Sequence, residues 1–300
     1  MSSLNLTKTT GLFFSPFSVL NGAVKSWICV ALLGQWMFAV YILGLYAIPL
    51  IVELTEQSAA VSPASGHTKD AKVFFSHVLP AVILATSGLL QLIPAVRKHF
   101  PRFHRYNGRV FFILGISGAL TGLYLTWVTG LRLSDIGAIG ITLNGMLIPV
   151  AIFFAWRTAI QKNIAAHQRY AVHSFFLVNG VWTFRLYLFG WYMVNQGFNG
   201  NTATLDGPID IFISFACYLL PMALAELYFW AKRQTKASAP VWIIAVMMSL
   251  GFVITAIGVC AAAVMMWWPR ISAVFLVKLQ FNQLGVETCF QSQRTKSTKA

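Results

Sequence analysis

The chain has 300 residues, of which 57% are hydrophobic and only 10% are charged. A soluble domain carries about 25% charged residues, so a chain with this composition would expose large apolar patches in water. The formal net charge is +14, but no zinc finger, basic helix or aromatic RNA-binding motif accompanies the basic residues. The composition therefore indicates a protein whose partner is the lipid bilayer and not nucleic acid, and it leaves any protein partner unknown.

Seven apolar runs follow one another along the chain, each long enough to cross a hydrocarbon core of about 30 Å. They lie at 27–52, 73–95, 109–131, 136–157, 170–194, 208–231 and 240–268. Because backbone polar groups must be satisfied within lipid, and because the alternating pattern of barrel strands is missing, the runs predict helices. On the third run, Gly115, Gly118 and Gly122 recur at near-helical spacing and predict a close-packing face.

We therefore predict an all-α fold, a polytopic transmembrane bundle of about seven helices over residues 27–268. Residues 1–26 form an amino-terminal segment before it, and residues 269–300 form a carboxy-terminal tail that is partly disordered.

The connections between the runs alternate in charge, and this alternation predicts orientation. The connections after the second, fourth and sixth runs carry basic residues and no acidic ones: Arg97, Lys98, Arg102, Arg105, Arg109, Arg157, Lys162, Arg169, Lys232, Arg233 and Lys236. The opposite connections hold acidic residues such as Asp206 and Asp210. By the positive-inside rule, the basic connections and the amino terminus face the cytoplasm.

Polar side chains at the cytoplasmic ends of the runs form a candidate site that we call the inner layer. Its members are Gln91, His104, Arg105, Arg109, His167, Arg169, His173 and Glu226. Polar groups in a membrane are costly, so each needs a reason to be there. A Glu226–Arg or Glu226–His pair that fixes the helix register is one explanation, and a site that binds a ligand or handles protons is another. The sequence leaves both open.

Nearer the opposite face, His77 and Arg185 form a second candidate site, the outer layer. Arginine remains charged and has five N–H donors to satisfy. Backbone carbonyls, His77, water or a bound anion could satisfy Arg185, and the plainest alternative is an arginine that locks helices together.

A bis-histidine b-type heme site needs two histidines at equal depth on facing helices. The inner layer offers His104, His167 and His173, with His104 and His173 as the candidate ligands, whereas His77 has no partner at its own depth. His167 and His173 are six residues apart, about 240° around a helix, so they do not share a face. No C-x-x-C pair, Walker loop or H-E-x-x-H motif occurs. We therefore predict no other metal site and leave the cofactor open, with heme b as one candidate.

Three stretches together resemble one family of bacterial membrane proteins. They are HVLPAVILATSGLLQLIPAVRKHFPRFHRYNGR (His77–Arg109), HQRYAVHSFFLVNGVWTFR (His167–Arg185) and LLPMALAELYFWA (Leu219–Ala231). As a set they resemble the predicted membrane proteins catalogued as domain of unknown function 2306 (DUF2306), over about residues 25–265.

The resemblance places the family's recurring polar positions on His77, Gln91, Pro94, His104, Arg105, Gly108, Arg109, His167, Arg169, Arg185, Pro221 and Glu226. The chain departs at Tyr170, where relatives are expected to have tryptophan, and at His173, where many are expected to have arginine. The second departure counts against His173 as an obligatory heme ligand. The resemblance implies a seven-helix protein of the bacterial inner (plasma) membrane and supplies no activity.

Three classes of function remain open at this point. The first is ligand or proton handling at the inner layer, in transport, sensing or the assembly of membrane complexes. The second is a membrane oxidoreductase with a single b-type heme or a quinone site. The third is a structural membrane scaffold. We take the first as the working hypothesis, because ionisable groups inside membranes usually serve a function.

Overall fold

The structure, a computed structural model, describes residues 15–47 and 68–272. Every regular element in these two ranges is helical, and this confirms the predicted all-α polytopic bundle. The α-helices are α1 (Pro16–Ile42), α2 (Thr68–Val78), α3 (Pro80–Ser87), α4 (Pro94–His99), α5 (Pro101–Trp127), α6 (Asp135–Ile160), α7 (Ile164–Val178), α8 (Gly180–Asn195), α9 (Pro208–Lys232) and α10 (Ala239–Ala262). The π-helical turns Leu43–Ala47 and Ala263–Trp267 extend α1 and α10, and a 3₁₀ turn, Leu89–Leu92, follows α3.

Within the described ranges, six helical segments are long and apolar enough to cross a membrane. They are Pro16–Tyr46, Val73–Leu92, Pro101–Trp127, Asp135–Ile160, Pro208–Lys232 and Ala239–Ser272. The predicted span 170–194 differs from these, because α7 and α8 divide it at Asn179. The backbone of Asn179 still donates to the Phe175 carbonyl and accepts from the Thr183 amide, at 3.0 and 2.9 Å. The junction is therefore an interruption in one helical path.

The first helix begins within the predicted amino-terminal segment 1–26. Pro16 occupies its first turn, and the Ser15 hydroxyl accepts a hydrogen bond from the Ser18 amide at 3.1 Å. Serine before a proline is a favourable helix start, because the side chain satisfies an amide that has no partner in the helix. Residues 1–14, the connection 48–67 and the tail after 272 lie outside the described residues.

Prolines divide the polypeptide between α2 and α5 into short pieces. Pro80, Pro94 and Pro101 each stand in the first turn of a helix. Proline lacks an amide hydrogen and suits this position, whereas in a helix interior it removes a hydrogen bond and kinks or breaks the helix. The predicted span 73–95 is therefore built from α2, α3 and the 3₁₀ turn, and Gln91 falls within that turn.

Small residues let the helices of the bundle approach closely. A Cβ on Gly258 of α10 would come within 2.7 Å of the Leu186 carbonyl oxygen on α8. The packing prediction for α5 is confirmed at Gly115 and Gly122, where a Cβ would meet Val178 at 2.9 Å and His77 at 3.0 Å, respectively. It is wrong at Gly118, where a Cβ would meet no atom within 4 Å. That position lines a cavity instead.

Candidate functional site

Arg169 and His173 lie one turn apart on α7, so they share a helix face, and α9 carries Glu226 opposite them. The Arg169 Nε donates to Glu226 Oε1 at 2.6 Å, and the His173 Nε2 lies 2.5 Å from the same oxygen. The structure thus brings together three residues of the inner layer, which we call the inner triad. Since a carboxylate only accepts hydrogen bonds, His173 must donate from Nε2.

Exposure changes across the inner triad. The Arg169 side chain is 57% exposed, that of Glu226 is 34% exposed and that of His173 is 12% exposed. The Nδ1 atom of His173 is buried and has no hydrogen-bond partner in the described part of the chain. Glu226 Oε2 makes no hydrogen bond to a described residue and is not among the buried unpartnered atoms. The carboxylate therefore joins an exposed cation to a largely buried imidazole and has one oxygen left for another donor.

Two other inner-layer residues have buried polar atoms. Gln91 Nε2 and His104 Nδ1 have no hydrogen-bond partner among residues 15–47 and 68–272. The Gln91 carboxamide lies beside α5, where a Cβ on Gly108 would be 3.5 Å from its Oε1. Buried polar atoms normally find partners, so these two mark a polar region next to the basic end of α5.

The remaining inner-layer residues make separate contacts. His167 Nδ1 lies 2.8 Å from the Ala155 carbonyl oxygen and links α7 to α6. Arg105 is exposed and donates to a carbonyl one turn earlier in its own helix, at 3.3 Å. The exposed Arg109 lies over the Tyr106 ring at 5.8 Å. These contacts leave the three side chains outside the inner triad.

Heme ligation would conflict with the inner triad. Histidine binds metals through a ring nitrogen, and in His173 the Nε2 contacts Glu226 while the Nδ1 is buried. Heme binding by His104 and His173 would require the Glu226 contact to break or His173 to turn. No group of three or more His, Cys, Asp or Glu side chains in the described residues could hold a metal ion. The heme assignment stays a prediction.

The outer-layer residues line one cavity of about 450 Å³. His77 Nδ1 is 2.9 Å from the Thr121 hydroxyl on α5. The Nη1 atom of Arg185 donates to the Val181 carbonyl at 3.1 Å, and the guanidinium lies 5.5 Å from the centre of the Phe38 ring. The helix-locking alternative predicted backbone carbonyls as acceptors, and this carbonyl is one turn back in the same helix. That hydrogen bond therefore joins no second helix, whereas the contact with the Phe38 ring reaches α1.

Sequence reasoning missed a buried amide pair between the two layers. Gln35 is fully buried on α1, and its Nε2 donates to Asn179 Oδ1 at 3.0 Å. Asn179 Nδ2 in turn donates to the Phe175 carbonyl at 2.9 Å. An amide inside an apolar run was the available signal, because polar groups in lipid need partners.

The connection before α9 is held by carboxylates. Asp210 is 1% exposed and accepts from the Asn201 side chain at 2.6 Å and from the Thr202 and Gly207 amides at 2.9 and 3.2 Å. The nearby Asp206 is exposed, and hydrogen bonds from Thr202 and then another threonine hydroxyl hold its pKa below the ordinary value. Sequence reasoning treated both acids simply as loop charges.

Helices of membrane-spanning length around two layers of ionisable side chains define a polytopic helical membrane protein. The model of the family described as "Predicted membrane protein (DUF2306)" matches residues 74–229. The chain belongs to this family, and the matched range contains every residue of both layers. No curated protein and no solved structure matches the chain.

Proposed function

We propose that this protein handles protons or a small ligand at the inner triad, on the cytoplasmic side of the bacterial inner membrane. The process served would be transport, sensing or the assembly of a membrane complex. The observation that carries the proposal is the shared contact of Arg169 and His173 with one oxygen of Glu226. The geometry favours the proton over a ligand.

A carboxylate next to an imidazole suits proton transfer, because imidazole is the side chain whose charge ordinarily changes near neutral pH. Arg169 balances the charge of Glu226, and the free Oε2 can take a proton from water. On the other side of Glu226, the largely buried His173 would carry the proton into the bundle.

The distance from His173 to the nearest cavity in the bundle is short. The cavity that Arg185 and His77 line also reaches Asn179. Asn179 lies six residues after His173, or about 9 Å along the helical path at 1.5 Å per residue. A few ordered waters or a small side-chain movement would connect the two.

The test is proton flux into liposomes that contain the full chain, driven by a potassium diffusion potential and followed with an enclosed pH dye. Glu226→Gln and His173→Gln should each lower the flux by about tenfold or more. Asp135→Asn is the matched control, because it removes a carboxylate from an ion pair with Arg132 of comparable length, 2.5 Å. Its flux should equal that of the parent.

Equal flux in the parent protein and in Glu226→Gln would contradict proton handling. If both variants also folded as the parent does, the scaffold class would explain the triad better. A Soret band in the purified protein that shifts on reduction would favour the oxidoreductase class. Orientation has its own test: reporter fusions near Phe103 and near Asn199 should report opposite sides, with Phe103 cytoplasmic.

A further inference from the structure

Two adjoining cavities meet at Arg185. The first, of about 450 Å³, extends to His77 and Asn179. The second, of about 470 Å³, extends past Arg270 to Ser134, near the acidic connections of the bundle. Arg185 lines both cavities and stands where they meet. We call this pair of cavities the outer cavity.

The cations of the outer cavity have few partners. Besides the Val181 carbonyl and the Phe38 ring, Arg185 contacts no acceptor among the side chains of residues 15–46 and 73–272. Arg270 Nη1 donates to the Tyr41 hydroxyl at 3.0 Å. Among the side chains that the structure describes, those of residues 15–46 and 73–272, no carboxylate lies within 4.0 Å of the charged nitrogens of either arginine.

The carboxylate of Asp210 lines the second cavity, but its oxygens already have hydrogen-bond partners. Both oxygens of Asp210 accept hydrogen bonds from the connection that precedes α9. Arg132, which lines the same cavity, is paired with Asp135 at 2.5 Å. Arg185 and Arg270 therefore supply positive charge that these described contacts do not balance. Arg185 is partly buried, whereas Arg270 is exposed. A charge withdrawn from water in a membrane, as that of Arg185 is, is costly unless an opposite charge compensates it.

Much of the remaining wall is apolar. Phe38, Phe74 and Leu84 line the first cavity, and Phe184 and Leu188 line the second. A small inorganic ion would leave these walls in contact with water. We propose that the outer cavity binds an amphipathic monoanion, whose carboxylate or phosphate head pairs with Arg185 and Arg270 and whose apolar body packs against the aromatic walls.

The test is binding of radiolabelled laurate to the purified full chain in nanodiscs of phosphatidylcholine. Laurate should bind about tenfold or more tightly than lauryl alcohol, which has the same chain without the charge. Acetate, the head without the chain, should not compete at equal concentration. A second set of nanodiscs that contain phosphatidylglycerol identifies the source: competition with laurate points to a lipid headgroup, and no competition points to a free acid.

Two variants address the head and the body separately. Arg185→Gln removes the charge and should weaken laurate binding by about tenfold or more. Gly118→Leu leaves the charge in place and fills the first cavity, since a Cβ there meets no atom within 4 Å. It should also weaken binding, and it decides the question if Arg185→Gln does not fold. The controls are Arg233→Gln and Gly22→Leu, which lie outside the outer cavity and should bind as the parent does.

Equal affinity for laurate and lauryl alcohol would overturn the proposal, as would unchanged binding in Gly118→Leu. The sequence also places Glu53 and Glu56 between α1 and α2, outside the described residues. If the parent binds no laurate and the double variant Glu53→Gln/Glu56→Gln does, the anion is one of the chain's own carboxylates. Glu226→Gln should bind laurate normally, so failure of this proposal is distinguishable from failure of the inner triad.

Discussion

Glu226→Gln should destabilise the bundle mainly through the lost contact with His173 and only slightly through the lost contact with Arg169. Both partners contact the same oxygen at nearly the same distance, 2.5 and 2.6 Å. Their surroundings differ, because the Arg169 side chain is 57% exposed and the His173 side chain is 12% exposed. Exposure, rather than distance, should therefore decide which contact contributes more to the free energy of unfolding.

The two magnitudes can be estimated separately. An exposed ion pair contributes about 0–1 kcal/mol, because water and salt screen it and because two long side chains lose rotamer freedom. A hydrogen bond to a charged group in a less exposed setting contributes about 1.5–3 kcal/mol. The His173–Glu226 coupling energy should exceed the Arg169–Glu226 coupling energy by about 1 kcal/mol or more.

The assay is a pair of double-mutant cycles. Glu226→Gln is combined with His173→Gln in one cycle and with Arg169→Gln in the other, and the free energy of unfolding is measured by reversible denaturant titration in mixed micelles. High salt should reduce the Arg169 coupling and leave the His173 coupling nearly unchanged. An Arg169 coupling as large as that of His173, at low and at high salt, would refute the argument from exposure.

Three further outcomes can be checked. Gly258→Ala should lower the free energy of unfolding by about 1–3 kcal/mol, because a methyl group there overpacks a helix contact. Gly118→Ala should leave the free energy of unfolding unchanged or slightly higher. Equal effects of the two substitutions in the same titration would contradict the close packing of Gly258. Asp210→Ala should cost about 3 kcal/mol, because it leaves buried donors unpaired, and Asp206→Ala at the exposed site should cost much less. The contacts of Asp206 stabilise the folded state fully above the ordinary pKa of an aspartate, and this stabilisation is lost as the pH falls through the lowered pKa. Thr202→Val should therefore raise the pKa of Asp206 in a carbon-13 NMR titration of the carboxyl.

Most of the fold could be predicted from the sequence because lipid imposes simple rules. Length and hydropathy located the membrane-spanning helices, and 208–231 differs from α9 by a single residue at one end. The start of α1 was harder, because the polar residues after Pro16 obscure a helix that its cap and proline support. The interruption at Asn179 was not predicted, since an asparagine before a glycine does not alter the hydropathy of the run.

The site was only partly predictable. Depth along the helices indicated that His173, Glu226 and Arg169 could meet, because helical rise converts residue number into height. Depth alone does not give the direction in which a side chain points. The same reasoning therefore grouped Arg105 and Arg109 with them, although both make their contacts within α5. Direction depends on how helices rotate against each other, which is set by packing contacts between residues far apart in sequence.

The interruption at Asn179 has a consequence for how the two layers influence each other. His173 precedes it by six residues and Arg185 follows it by six, so about 18 Å of helical rise separates them. Groups that far apart with no shared contact usually respond to mutation independently. Any cooperativity between an occupied outer cavity and the inner triad would therefore depend on the residues around Asn179 that lie between them. Gln35 on α1 contacts Asn179, so replacement of Gln35 would reveal such a linkage.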